Sequence, residues 1–257
     1  MSRLLWCGLF LLVPILGVAT FIAGPIYNIW LPEDISEHGR VIDHLFFFIM
    51  WLTGVVFVIT EVLLFWFMWK YDADKNAEPV KYTHGSHSLE VVWTILPAAT
   101  LLFIAIYQMD AWAASKMRTP NQPVIAEVVG RQFEWRLRYV GPDGILYTPD
   151  DIFHVNDLHL PANEEVLIMI NSEDVLHSFF LPNLRIKQDL VPGMQQYVWF
   201  KAQKPFIGDI VCAELCGWGH YKMKGRVTIE SRPEFEAWLK ERQAAQETRT
   251  DPAPEEE

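Results

Sequence analysis

Three long apolar runs, all ahead of Ala113, constrain this chain more than any other feature. The first runs from Leu4 to Leu31, broken only by Thr20 and Asn28, and carries Pro14 and Pro25; the second runs from Leu45 to Trp69 and the third from Val91 to Ala113. A bilayer hydrocarbon core of roughly 30 Å takes about 20 apolar residues of helix to cross. The second and third runs therefore read as transmembrane helices. The first is long enough to span as well. Arg3 followed by an apolar stretch with small residues at Ala23 and Gly24 also fits a signal segment, but the length of the run and the flanking charge favour a retained helix.

Flanking charge sets the orientation. The loop from Lys70 to Ser88 carries Lys70, Lys75 and Lys81, whereas Pro32 to Asp43 has Arg40 among Glu33, Asp34, Glu37 and Asp43. By the positive-inside bias the lysine loop is cytoplasmic, which puts everything after the third run on the outer face, the periplasm of a bacterium. Glu61 lies inside the second run, where an ionised carboxylate is costly unless it faces protein or water. It implies a membrane partner, either packed on that face or sharing a proton path.

With 51% hydrophobic and 21% charged residues, the 257-residue chain is too apolar for an ordinary soluble enzyme and too charged for a lipid-buried bundle, so it has two unlike parts. The formal net charge of −11 argues against nucleic acid, whose phosphates reward Lys and Arg, and favours a basic protein partner. After Ala113 come short segments at Val124–Val129, Phe133–Val140, Glu165–Ile170, Gln196–Phe200, Ile207–Val211 and Arg226–Ile229, punctuated by turn signals at Gly141–Gly144 and Val191–Gly193. They predict an antiparallel sandwich or barrel. Ser231-Arg232-Pro233-Glu234 predicts a capping-box start to a helix ending near Arg242, followed by a disordered acidic tail. The expected organisation is an N-terminal helix or signal segment over 1–32, a two-helix membrane hairpin over 33–120, a β domain over 121–231, a helix over 232–242 and a tail over 243–257.

The chemistry concentrates in C-A-E-L-C-G-W-G-H-Y-K-M, from Cys212 to Met223, with His177 upstream in S-E-D-V-L-H-S-F. Three cysteines make no disulfide framework, and Cys7 is far from the other two. Two thiolates, imidazoles and a thioether form a soft ligand set that suits copper better than zinc, which rarely takes a thioether. Cysteines four apart on a loop can place both sulfurs on one side, where each bridges two ions, with His177 and His220 capping the ends. A zinc site and a chance cluster of buried Cys and Met remain open on these residues alone. A single-copper site would leave one cysteine without a job.

At these residues the sequence resembles subunit II of the cytochrome c oxidases of the haem-copper family. The resemblance rests on L-E-V-V-W-T-I-L-P from Leu89 to Pro97, S-E-D-V-L-H-S-F from Ser172 to Phe179, K-Q-D-L-V-P-G from Lys187 to Gly193, and the Cys212–Met223 loop. It implies an α+β membrane protein whose transmembrane helices precede an all-β, cupredoxin-like Greek-key barrel holding the dinuclear copper centre CuA. Carried over, Cys212 and Cys216 bridge the coppers, His177 and Met223 complete one, and His220 with the backbone carbonyl of Glu214 completes the other. The Glu214 carboxylate would help bind magnesium shared with subunit I. Glu90 matches a glutamate at the mouth of a proton channel, although a carboxylate in a first helical turn is also favourable by the macrodipole alone.

The resemblance further implies an aa3-type, proton-translocating oxidase in the bacterial inner membrane. Partners would be subunit I, other oxidase subunits and a c-type cytochrome donor, free or within a supercomplex. Oxygen chemistry would sit on subunit I. The chain has no C-x-x-C-H motif for attaching haem, so the donor is expected to be a separate protein. One position departs from the family. Where the aromatic segment usually begins with the Trp that receives electrons, G-R-Q-F-E-W-R has Phe133, followed by Trp135. Trp218, inside the copper loop, is expected either to contact the donor or to shield the metal. Glu134, Glu173 and Asp174 are candidates for steering a basic cytochrome. A membrane-anchored copper chaperone or thiol oxidoreductase is the rival class, but it would place its His far downstream of both cysteines.

Overall fold

The computed structural model describes residues 3–71 and 82–248. Lys75 and Lys81 of the orienting loop, and the tail beyond Thr248, lie outside the described residues. Two compact units emerge: one comprises Met1–Pro32 and Asp43–Met109, the other Glu33–Ile42 and Asp110–Glu257.

The first unit is helical. α1 (Arg3–Ile26), α2 (Gly39–Lys70) and α3 (His87–Tyr107) are each long and apolar enough to cross a membrane. Their Thr side chains turn back onto carbonyls of the preceding turn, as Thr53 Oγ1 does on Ile49 O at 2.9 Å and Thr100 Oγ1 on Leu96 O at 2.8 Å, so these hydroxyls carry no unmet donor. Aromatic contacts join the helices: Phe21 meets Trp51 at 5.3 Å between ring centroids, and Phe48 meets Tyr107 at 5.3 Å. Most other side chains face outward, Leu96 being 65% exposed. An all-round apolar surface of this kind demands lipid or a protein partner. Glu90 sits in the first turn of α3, 4.0 Å from His87, and Glu61 lies within α2.

The main stretch of the second unit opens with a helical turn, α4 (Met109–Trp112), that runs into a wider turn at Ala113–Met117. It is a two-layer β-sandwich. β1 (Val124–Arg131), β2 (Glu134–Tyr139), β3 (Ile152–Val155), β5 (Glu165–Ser172) and β8 (Gln196–Lys201) form one sheet in the order β3-β2-β1-β5-β8. β4 (Asp157–Pro161), β6 (His177–Leu181), β7 (Ile186–Leu190), β9 (Phe206–Cys212) and β10 (Lys224–Glu230) form the other in the order β4-β10-β9-β6-β7. The expected antiparallel pattern is broken twice, because β1 pairs with β5 and β10 with β4 in parallel. Alternation along the strands builds the core. Trp135, Leu137 and Tyr139 of β2 point inward, facing Phe179 and Leu181 of β6, Ile210 of β9, and Val227 and Ile229 of β10.

The helix after β10, α5 (Arg232–Glu247), opens with the expected capping box of Ser231 and Glu234, and Phe235 is buried in the core. It runs past Arg242 because its last turn is anchored: Gln246 accepts from Phe153 N at 3.0 Å and donates to Asp151 O at 2.8 Å. Glu33–Ile42, which runs into the first turn of α2, belongs to the β unit. Ile35 is buried there, its N–H bonds Asn183 O at 3.0 Å, and its carbonyl accepts from Gln203 N at 2.8 Å.

Candidate metal centre

Strand register delivers two of the soft ligands. On β9, Ile210 and Cys212 alternate into the core, and on β6 His177, Phe179 and Leu181 do the same. Because Phe179 stands opposite Cys212, the His177 ring comes to lie beside the Cys212 sulfur at the end of the sandwich. The loop between β9 and β10 supplies the rest. Cys212 N bonds Met223 O at 3.2 Å and closes the base of the loop, while His220–Lys222 form a helical turn that brings Met223 back inward.

The resulting cluster is tight. The Cys212 and Cys216 sulfurs are 3.9 Å apart, His177 Nδ1 is 3.9 Å from Cys212 Sγ, His220 Nδ1 is 3.6 Å from Cys216 Sγ, and Met223 Sδ is 3.7 Å from Cys216 Sγ. The Glu214 carbonyl oxygen is 3.2 Å from Cys212 Sγ. His177, Cys212 and Cys216 offer ligand atoms within 4.8 Å of one another, the residues able to hold a metal ion. A 3.9 Å separation is nearly twice a disulfide length of about 2.05 Å, and both cysteines are free. Half of it is shorter than a metal–thiolate bond of about 2.3 Å. The two sulfurs are thus close enough for both to reach one soft ion. Each sulfur has an imidazole nitrogen at hand, so the residues present fit a sulfur-bridged pair of soft ions.

Hydrogen bonding prepares these groups. Asp174 Oδ1 receives His177 Nε2 at 2.8 Å, which turns Nδ1 towards the sulfur. Asp174 also accepts the N–H groups of Val175 and Gln132, at 2.6 Å and 2.8 Å. Burial alone would raise the Asp174 pKa, but these bonds outweigh it and hold the carboxyl below the usual range. For His177, burial works downward, and the contacts with Cys212 and Asp174 overcome it to raise the pKa. Burial disfavours a Cys212 thiolate too, yet His177 and the N–H of the backbone around Ser178 bring its pKa down to about 6. Cys216 is pushed up to about 12 by burial and by the neighbouring Cys212 charge. Of the two neighbouring thiols, Cys212 is thus the one that gives up its proton more readily.

The other residues singled out in the sequence separate into distinct settings. Phe133 is half-buried and presses on Gly219, where an added Cβ would come within 2.4 Å of its ring. Trp135 is fully buried, 6.3 Å from the His177 ring. Trp218 is 83% exposed, with Lys222 Nζ over its ring at 5.5 Å, and so gives the cluster no cover. Glu134 pairs with Arg136 at 2.9 Å, and Glu173 with Arg136 at 3.2 Å and Arg131 at 3.5 Å. Asp174, read in the sequence as a docking charge, is committed to His177. Sequence reasoning missed that role and that of Gln132, whose side-chain amide donates to the Cys216 carbonyl. The three-residue spacing of Asp174 and His177 is a signal that could have found the first; nothing local marks the second.

Two family models match, "Cytochrome C oxidase subunit II, periplasmic domain" over residues 150–231 and "Cytochrome C oxidase subunit II, transmembrane domain" over residues 26–110. The chain is 27% identical over 238 residues to "Alternative cytochrome c oxidase subunit 2" of Bradyrhizobium diazoefficiens, covering 84% of this chain and 85% of that protein. It is 26% identical over 270 residues to "Cytochrome c oxidase subunit 2" of Thermostichus vulcanus, covering 83% and 79%. Among solved structures, the periplasmic domain of subunit II of cytochrome oxidase of Bradyrhizobium japonicum matches at 24% identity and a TM-score of 0.44, over 50% of this chain and 99% of that one. The two matched stretches fall in both units, and the periplasmic-domain match takes in the cysteine loop. The chain belongs to the cytochrome c oxidase subunit II family.

Proposed function

We propose that this chain is the electron-accepting subunit of an aa3-type cytochrome c oxidase. Its helices cross the bacterial inner membrane against subunit I, and its β-sandwich faces the periplasm. The observation that carries the reading is the convergence of Cys212, Cys216, His177, His220 and Met223 at one end of that sandwich. These residues would hold a copper pair, which would supply one-electron transfer between a c-type cytochrome and haem in subunit I, where oxygen would be reduced and protons moved.

The chain's own residues perform four tasks. Cys212 and Cys216 would hold both ions, His177 and Met223 would complete the set for one, and His220 with the Glu214 carbonyl would complete the set for the other. Asp174 fixes the His177 ring. Trp135 and Phe179 pack behind the ligands, their rings 5.6 Å apart, and keep water from the inner side. This dry, rigid shell resists movement when charge changes, which keeps the cost of electron transfer low. Trp218 stands in solvent as the aromatic contact for the donor, in place of the family's usual indole at position 133. Arg131 and Arg136 share the carboxylates of Glu134 and Glu173, so these acids contribute little steering, and donor oxidation should depend weakly on salt. The Glu214 carboxylate is assigned to magnesium at the subunit I boundary, and Glu90 to proton uptake on the opposite face.

Electron paramagnetic resonance of the oxidase purified from membranes tests the reading. One unpaired electron spread over two copper nuclei is expected. A single-copper signal, or zinc in place of copper by elemental analysis, refutes it.

A further inference from the structure

We infer that Gln132 is a positioning residue that straps the copper loop to the strand bearing His177; the inference rests on the copper reading above. Two ligand-bearing segments meet at the end of the sandwich, and neither Cys216 nor His177 lies on the β1–β2 hairpin. The tip of that hairpin nevertheless touches both. The Gln132 backbone N–H donates to Asp174 Oδ2 at 2.8 Å, and the other oxygen of that carboxylate holds His177 Nε2 at 2.8 Å. From the same residue, the side-chain amide Nε2 donates to the carbonyl of Cys216. One residue therefore connects a bridging sulfur's backbone to the orienting partner of a terminal ligand.

The copper loop is shaped to receive this strap. Gly217, next to the carbonyl that accepts from Gln132, has φ +131°, a conformation that side chains other than glycine's rarely adopt, and a Cβ there would stand 2.7 Å from Gln132 Nε2. Two residues on, Gly219 leaves room for the Phe133 ring. On the hairpin itself, a Cβ at Gly130 would approach the His177 ring to 3.0 Å. The three glycines let the hairpin tip lie directly against both ligand segments, and of the tip residues Gln132 is the one whose side chain makes a directional bond to the loop. A carbonyl tied in this way cannot rotate without breaking a hydrogen bond, so the Cys216 sulfur keeps its place relative to Cys212 and His177.

The test uses the purified oxidase and two substitutions. Gln132→Met keeps the length and removes the donor, and Gln132→Lys keeps a donor of similar reach. Copper count and resonance spectrum of the parent are read first; a parent without a two-copper spectrum overturns the functional reading itself. With that spectrum in hand, Gln132→Met is expected to release copper to a chelator about 10-fold faster and to show altered copper hyperfine splitting, with circular dichroism matching the parent. Gln132→Lys is expected to restore copper retention. Parental release and hyperfine splitting in Gln132→Met overturn the inference. So does a Lys variant no better than Met.

Discussion

Replacing Asp174 by Asn tests how far the protein, beyond its direct ligands, sets the properties of the bound metal. Asn keeps one oxygen to accept from His177 Nε2, and its amide then faces the Gln132 N–H that the carboxylate accepts in the parent. The change removes a negative charge with little change of shape. From the carboxylate, across a 2.8 Å hydrogen bond and the imidazole ring, to an ion on Nδ1 is about 7 Å, taking about 2 Å for the metal–nitrogen bond. At that distance a unit charge contributes about 2.4 kcal/mol with an effective dielectric of about 20. Asp174 has a side chain 28% exposed, so solvent screening brings the lower bound to about half of this. One tenfold step is 59 mV for a single electron, so the copper potential should rise by about 50–100 mV, because the oxidised, more positive state loses its stabilising neighbour. Copper affinity should fall about 10-fold to 100-fold, as for other partners of metal-bound histidines. Redox titration followed through the copper absorption band, alongside a chelator competition, reads both. A potential within about 10 mV of the parent at equal copper content would show that the carboxylate carries no electrostatic influence at this range.

Three further outcomes follow from the same geometry. Trp218→Ala should slow oxidation of the cytochrome donor at least about 10-fold in stopped flow while leaving the copper spectrum and potential intact, since an exposed aromatic contributes contact and not support; a parental rate removes the ring from the route. Gly219→Ala forces a methyl against the Phe133 ring and should cost about 1–3 kcal/mol in denaturant unfolding, with Phe133→Leu in the same chain recovering part of it; equal stability of Gly219→Ala and parent contradicts the close approach. The third outcome concerns pH. Burial first, then Arg242 and His159, lower the His154 pKa against the pull of Asp157. Between that lowered value and the unfolded value near 6.5, the unfolded chain binds more protons, so this histidine's contribution to stability falls as pH drops through the window. The parent should lose more stability than His154→Gln between about pH 7 and about pH 5.5, and equal losses would refute the assignment. The raised pKa of His177 acts with the opposite sign in metal-free protein, so the comparison is of variant against parent in the copper-loaded state.

What could be read from the sequence divides along the kind of interaction involved. The helices were legible because membrane crossing demands length and apolarity, both local properties. Six strands were legible for equally local reasons, a continuous apolar run between turn residues as in Glu165–Ser172, or alternation as in Glu134–Tyr139, whose burial alternates residue by residue. Four strands were not. The β6 strand begins at His177, and its Phe179 and Phe180 break the alternation. The β3 and β4 strands are joined through Asn156 at φ +58°, and β4 ends on Pro161, a residue that usually argues against a strand. The β7 strand, Ile186–Leu190, holds Lys, Gln and Asp between its two buried ends. Parallel pairing of β1 with β5 was hidden for a deeper reason: it depends on which strands meet in space, and no residue in either strand encodes it.

The centre shows the same division at finer scale. The candidate ligand cluster was readable because soft donors are rare and their grouping between Cys212 and Met223 is a one-dimensional fact. The partners of those ligands were not, because Asp174 carries the same formal charge whether it steers a distant protein or grips a histidine. Only the β6 register, which turns His177 inward beside Cys212, decides between these uses. Trp218 illustrates the reverse. As a residue type it suits cover as well as contact, and the structure leaves its ring exposed in the turn just ahead of His220–Lys222, the setting on which the proposed donor contact rests. The buried cysteines and the exposed ring are separated by only a few residues of chain, so the tight loop that turns its sulfurs inward presents an apolar ring on its outer side. Gly217, at φ +131°, sets the backbone path and Gly219 admits the Phe133 ring beneath it, so changing either glycine should disturb metal retention and donor contact together.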